Sequence, residues 1–159
     1  MKPKVYVETS VVSYLTAWPS GDLIISARQK ITRDWWRNAP ATFELVASER
    51  VIREAGFGDA DAAKDRLAVL EGLPLLVATH EAQDLVDALV AKGAMPPSEL
   101  EDAMHIALAV VNGVEYLATW NFKHIANATM RSLINDTCSG AGYLPTIICT
   151  PEELIEAKP

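Results

Sequence analysis

Val5-Tyr6-Val7-Glu8-Thr9-Ser10 is the stretch on which the fold turns. Three consecutive apolar residues of strand-favouring type read as a short strand buried on both faces, and the polar trio after them ends it. Thr9 or Ser10 can then cap a helix to about residue 16, because a hydroxyl accepts one of the N–H groups that a helix start leaves free. The same strand-then-helix unit recurs outward from there. Pro19-Ser20-Gly21 breaks the chain before a long helix over 22–38. On it Ile24, Ala27, Ile31 and Trp35 fall on one face and Lys30, Arg33 and Arg37 on the opposite side. Residues 42–47 read as a second strand, with Ser48 capping a helix towards residue 55. Phe57-Gly58-Asp59 opens a helix to 71, and 75–78 is a third short strand or extended link.

Thr79 or His80 opens a further helix that ends near Gly93. After Pro96-Pro97, Ser98-Glu99-Leu100-Glu101 has the spacing of a capping box for a helix to residue 112, closed by Gly113. Residues 116–119 form a strand, 128–139 a helix and 146–149 a last strand. Thr150-Pro151-Glu152-Glu153 starts a final helix with proline in its first position. Alternation of this kind predicts an α/β fold: a three-layer α/β/α sandwich around a mainly parallel sheet of four to five strands. There is no repeat and no linker, so 1–159 is expected to be a single domain, as the length suits.

Composition narrows the classes. The chain has 159 residues, 50% hydrophobic and 22% charged, which is too apolar for a disordered segment. No run approaches the ~20 apolar residues of a membrane span, and no apolar signal segment follows Met1-Lys2-Pro3-Lys4. Cys138 and Cys149 stand in no CxxC spacing, so neither a disulfide framework nor a zinc site is indicated. A reduced, cytoplasmic protein without membrane contact is the expectation. The net charge of -7 is uneven: residues 1–79 hold 10 Lys+Arg and 10 Asp+Glu, whereas 80–159 hold 4 and 11. Absence of GxSxG, GxGxxG and Walker-type loops removes the serine-hydrolase, dinucleotide and P-loop classes.

In parallel sheets the functional crevice lies beyond the carboxyl ends of the strands. Glu8 follows the first strand, Glu54 lies on the helix after the second, and Asn121 follows the fourth. Asp102 sits in the first turn of the helix before that fourth strand. Oxygen donors converging there are what Mg²⁺ or Mn²⁺ requires. An aspartyl-nucleophile phosphohydrolase would need a second Asp two residues after Glu8, where this chain has Ser10. His105, on a largely apolar helix, reads as a satisfied, partly buried side chain rather than a ligand. His80 reads as a helix-start residue.

Taken together, 5–12, Ser48 to Glu54, Glu-Asp-Ala-Met-His-Ile-Ala-Leu-Ala (101–109) and Leu-Ala-Thr-Trp-Asn-Phe-Lys-His (117–124) resemble PIN-domain ribonucleases, the fold of VapC-type toxins. The resemblance spans nearly the whole chain. It implies that Glu8, Glu54, Asp102 and Asn121 occupy the family's metal-binding catalytic positions, with Thr9, Ser10 and Thr119 as supporting hydroxyls. Two positions depart from the pattern: Glu8 stands where Asp is usual, and Asn121 where Asp is frequent, which removes a charge that a second metal would need. The resemblance implies a Mg²⁺- or Mn²⁺-dependent endoribonuclease. It further implies the toxin of a toxin–antitoxin pair, held by an antitoxin protein and forming a homodimer. The alternative is a weakened PIN-like module that binds RNA or a protein without cutting. Lys30, Arg33, Arg37, Arg50, Arg53 and His124 are the candidate substrate contacts. Trp35 and Trp36 could stack on bases, with Trp35 better suited to the core.

Overall fold

In the computed structural model, which describes residues 1–157, β1 (Lys4–Val7) is the middle strand of a five-stranded sheet. β2 (Glu44–Ser48) pairs with one edge of β1 and β4 (Tyr116–Ala118) with the other. β3 (Leu75–Leu76) extends the sheet beyond β2, and β5 (Ile147–Cys149) beyond β4. The order is β3-β2-β1-β4-β5, and every pair is parallel. Val5, Tyr6 and Val7 are fully buried, as a central parallel strand covered on both faces must be.

The route explains the layers. From β1 the chain moves outward to β2 and β3, then crosses back to β4 and on to β5. Right-handed crossovers therefore lay α1 (Thr9–Thr16), α2 (Leu23–Thr42), α3 (Glu49–Ala55) and α4 (Ala60–Leu70) on one face. They lay α5 (His80–Ala91), α6 (Leu100–Val111) and α7 (Arg131–Gly140) on the other. Packing agrees: α1 meets α2, α3 and α4, while α5 meets α6 and α7. The expected three-layer α/β architecture is what forms, with α8 (Pro151–Leu154) packed on α2. The strand order reverses between β1 and β4, and in sheets of this kind a ligand site is expected at the carboxyl ends flanking such a reversal. No helix among the described residues is long and apolar enough to cross a membrane.

Several local expectations are corrected. The cap of α1 is Glu8, whose carboxylate accepts from Ser10 N, rather than Thr9 or Ser10. α2 continues past Asn38 through Pro40 to Thr42, because Trp35, Ala39 and Phe43 keep the i, i+4 spacing and all bury. Its inward face is Gln29, Thr32, Trp35 and Ala39, not the Ile24–Ala27 stripe; Ile24 and Ala27 are exposed. Tertiary hydrogen bonds admit the two polar residues, Gln29 Nε2 donating to Trp18 O and Thr32 Oγ1 accepting from Trp120 Nε1. The Ser98–Glu101 capping box does not form: Glu99 caps α6 without a side-chain bond, and Glu101 pairs with Arg50 instead. α7 begins at Arg131, three residues later than the pattern predicts.

Candidate functional site

Glu8 and Thr119 face each other across the switch point, one residue past β1 and β4. Glu8 N donates to Ala118 O at 3.1 Å, so the ladder carries both residues to the carboxyl edge of the sheet. The Glu8 side chain is almost wholly buried, and a buried carboxylate must be satisfied. Its Oε1 accepts from Ser10 Oγ and Thr119 Oγ1, each at 2.5 Å, and its Oε2 accepts from Ser10 N at 2.9 Å. The two hydroxyls are tied in turn, Ser10 Oγ accepting from Trp120 N and Thr119 Oγ1 from Asn121 N.

β2 delivers the second acid. Ser48 ends that strand and caps α3, accepting from Val51 N at 3.2 Å. Near the end of that short helix, Glu54 Oε1 accepts from Thr9 Oγ1 and meets His105 Nε2, both at 2.6 Å. His105 is fully buried in α6, whose residues Ala103 to Val110 are enclosed on every side. Its Nδ1 lies 2.7 Å from Tyr6 Oη, which lies 2.8 Å from Ser48 Oγ. Glu54, His105, Tyr6 and Ser48 thus form one chain from α3 through α6 to β1 and β2.

Electrostatics sets the protons along it. Burial disfavours charge on His105, but the Glu54 hydrogen bond and the fields of Glu8, Glu54 and Asp102 outweigh it, so its pKa lies above the ordinary 6.5. Burial likewise works against the Glu54 carboxylate, yet His105, Thr9 and Arg50 together hold its pKa below the ordinary 4.5. Burial, reinforced by Glu8 and Glu54, pushes the Tyr6 phenol far up, so it stays protonated. A charged imidazolium donates from both nitrogens. Nε2–H then donates to Glu54, Nδ1–H to the Tyr6 oxygen, and the Tyr6 hydroxyl to Ser48.

Ligand atoms of Glu8, Glu54 and His105 all lie within 4.8 Å of one another, so these groups could hold a metal ion. Asp102, also in reach of the His105 ring's field, belongs to a second group with Glu99 and His124. His124 Nδ1 lies 3.0 Å from Asp102 Oδ2 and 3.9 Å from Glu99 Oε2. Asn121 places its Oδ1 on His124 N at 3.1 Å, holding the loop. The structure therefore brings Glu8 and Glu54 together with Thr9, Ser10 and Thr119, sets Asp102 in the adjoining group, and gives Asn121 a positioning bond. His105, expected as a satisfied and partly buried side chain, is satisfied but wholly buried, and it joins the cluster. The available signal was the lone imidazole in an apolar helix, which burial obliges to find two partners.

The basic candidates divide. Lys30 is held by Asp34 at 2.6 Å, and Arg33 and Arg37 stand in that same carboxyl's field, so one of three positive charges is offset. Arg50 pairs with Glu101 and lies close enough to bias Glu54. Arg53 precedes Glu54 and is exposed. Trp35 is core, and Trp36 packs partly buried at 71° against it. Comparison with protein-family models, with curated proteins and with solved structures finds no match for this chain.

Proposed function

We propose that the chain is a metal-dependent endoribonuclease of the PIN-domain type. The observation that carries this reading is the cluster of Glu8 and Glu54 around His105 at the β1/β4 switch point, with Asp102 beside it. The donor set fits a hard divalent cation. Glu54 Oε2 and Asp102 Oδ1 accept no hydrogen bond from a described residue, although both carboxylates are largely covered. Glu8, Glu54 and Asp102 would hold Mg²⁺ or Mn²⁺, with Asn121 as a ligand or the holder of a ligand water. When bound, the ion supplies an acidified water and neutralises charge building on the phosphate during in-line displacement.

The chain's own groups do the positioning. Ser10 and Thr119 lock the Glu8 carboxylate in one rotamer. His105 and Thr9 occupy one oxygen of Glu54 and leave the other free. Arg33, Arg37 and Arg53, which have no ion-pair partner among the described residues, remain for phosphate. In this reading the chain is the toxin of a toxin–antitoxin pair, a cytoplasmic homodimer whose acidic residues 80–159 suit a basic partner. Growth arrest on overexpression, relieved by a neighbouring gene, tests that part.

The reaction itself is tested on purified protein with RNA and Mn²⁺. Cleavage is expected, stopped by EDTA, and Glu54→Gln or Asp102→Asn lowers it by more than the ~10–100-fold typical of an outer partner. Thr119→Val falls within that range. Undiminished cleavage by both carboxamide variants sinks the assignment. One observation favours a second reading, a module that binds RNA or protein without cutting: Glu8 is committed to three hydrogen bonds and Asn121 Oδ1 to the loop. No Mn²⁺ uptake by calorimetry, together with retained RNA binding, selects it.

A further inference from the structure

Arg28 stands apart from the other cations of α2. Its guanidinium carbon lies 4.9 Å from the centroid of the Phe122 ring and 5.6 Å from that of Trp120. Yet its side chain makes no hydrogen bond or ion pair with any described residue. A guanidinium carries five N–H donors, and here two aromatic rings hold it while those donors are left to whatever approaches. Neighbouring Lys30, by contrast, is already spent on Asp34.

The aromatic part is equally one-sided. Trp120 is buried, its Nε1 donating to Thr32 Oγ1 at 2.9 Å, and Thr32 Oγ1 donates back to the Arg28 carbonyl at 2.7 Å. Tyr14 packs its edge against Trp120 from α1. On this fixed base Phe122 sits at 64° to Trp120 and remains 43% exposed, between polar Asn121 and Lys123. Exposed Lys123 follows it. The platform adjoins the acidic cluster: Trp120 N donates to Ser10 Oγ, which itself donates to Glu8.

We propose that the Arg28–Phe122 stack is a nucleotide subsite, Phe122 stacking an unpaired base and Arg28 binding the adjoining phosphate of single-stranded RNA. A ring backed on one face by a planar cation and still 43% exposed offers its remaining surface to a base and the cation's free N–H groups to the adjoining phosphate, and stacking of this kind tolerates any base. The proposal deepens the ribonuclease reading and rests on it for the identity of the polymer.

Fluorescence anisotropy of a short labelled single-stranded RNA, in EDTA so that nothing is cut, tests it. Phe122→Ala is expected to weaken binding about tenfold or more with an unchanged salt slope, and Phe122→Trp to restore it. Arg28→Ala is expected to flatten the slope of log K against log salt by about 0.7. An RNA with an abasic site in register should lose affinity for the wild type and none further for Phe122→Ala. Thermal melts of each variant guard against misfolding, and the Trp rescue does so independently. Wild-type affinity in both Phe122→Ala and Arg28→Ala overturns the subsite, as does equal affinity for duplex RNA. Those results leave metal-dependent cleavage standing. The expected losses without any cleavage by the wild type in Mn²⁺ would keep the subsite and remove the nuclease.

Discussion

α6 takes part in two carboxylate–histidine contacts one turn apart. At one, His105 reaches Glu54 at 2.6 Å from a position with no solvent exposure; at the other, Asp102 meets His124 at 3.0 Å with both side chains still touching water. The first is backed by Tyr6 and Ser48 and so ties α6 to two strands and to α3. The second ties α6 only to the loop after β4. Similar chemistry thus serves different ends. At the inner pair the imidazole is enclosed, cannot exchange its partners for water and becomes part of the fold, whereas at the rim both members reach water and the carboxylate can release its histidine and turn to a cation or substrate.

The contrast breaks most visibly in stability. His105→Ala empties a fully enclosed site and takes one partner each from Glu54 and Tyr6, and is expected to cost about 3–5 kcal/mol in urea unfolding. Tyr6→Phe comes next. It keeps the ring but orphans His105 Nδ1 and takes from the Ser48 hydroxyl one of its two hydrogen bonds, for an expected loss of about 1–3 kcal/mol. If Tyr6→Phe were neutral, the chain of donors running from Glu54 to Ser48 would have no energetic standing.

Much of this arrangement was legible in the order of residues, and the missing part has a common cause. Strand–helix alternation and the acids that follow strands are local signals. They located the five strands, the reversal of strand order being the only non-local ingredient, and they put Glu8 and Glu54 past the carboxyl ends of β1 and β2, where the two meet. What escaped depends on partners distant in sequence. Gln29 and Thr32 look like surface residues until Trp18 O and Trp120 Nε1 satisfy them, so the buried face of α2 came out rotated. Glu101 looks like half of a capping box until Arg50, 51 residues away, claims it. His105 reads as a satisfied, partly buried side chain, but that Tyr6, 99 residues away, and Glu54 are its partners is visible only in the fold. Arg28 carries no local signal, because only the fold places it against Phe122.

Acidity sharpens the comparison further. His105's pKa is raised, so its share of the stability is complete below about 6.5 and is lost as pH climbs through the raised value. Glu54's pKa is lowered, so its share is complete above about 4.5 and is lost as pH falls through the lowered value. The stability difference between wild type and His105→Gln, followed by urea unfolding across pH, should therefore be greatest from about 4.5 to 6.5 and shrink on the alkaline side. A difference that grew towards alkaline pH would mean that His105 is neutral in the fold.

The smallest stability effect belongs to the rim. Asp102→Ala removes a contact whose partner, His124, still reaches water and keeps its backbone bond to Asn121. Both side chains are largely covered but neither is enclosed, so water takes over part of what the partner provided and the expected cost is about 1 kcal/mol, that of one net hydrogen bond. The same variant is expected to lose Mn²⁺ uptake in calorimetry, since Asp102 brings an oxygen that no described residue engages. Stability and metal binding are then separated at one position, whereas His105→Ala disturbs both. Should Asp102→Ala unfold the protein as readily as His105→Ala, the two pairs would be equivalent parts of the core, and Asp102 would have no freedom to serve as a ligand.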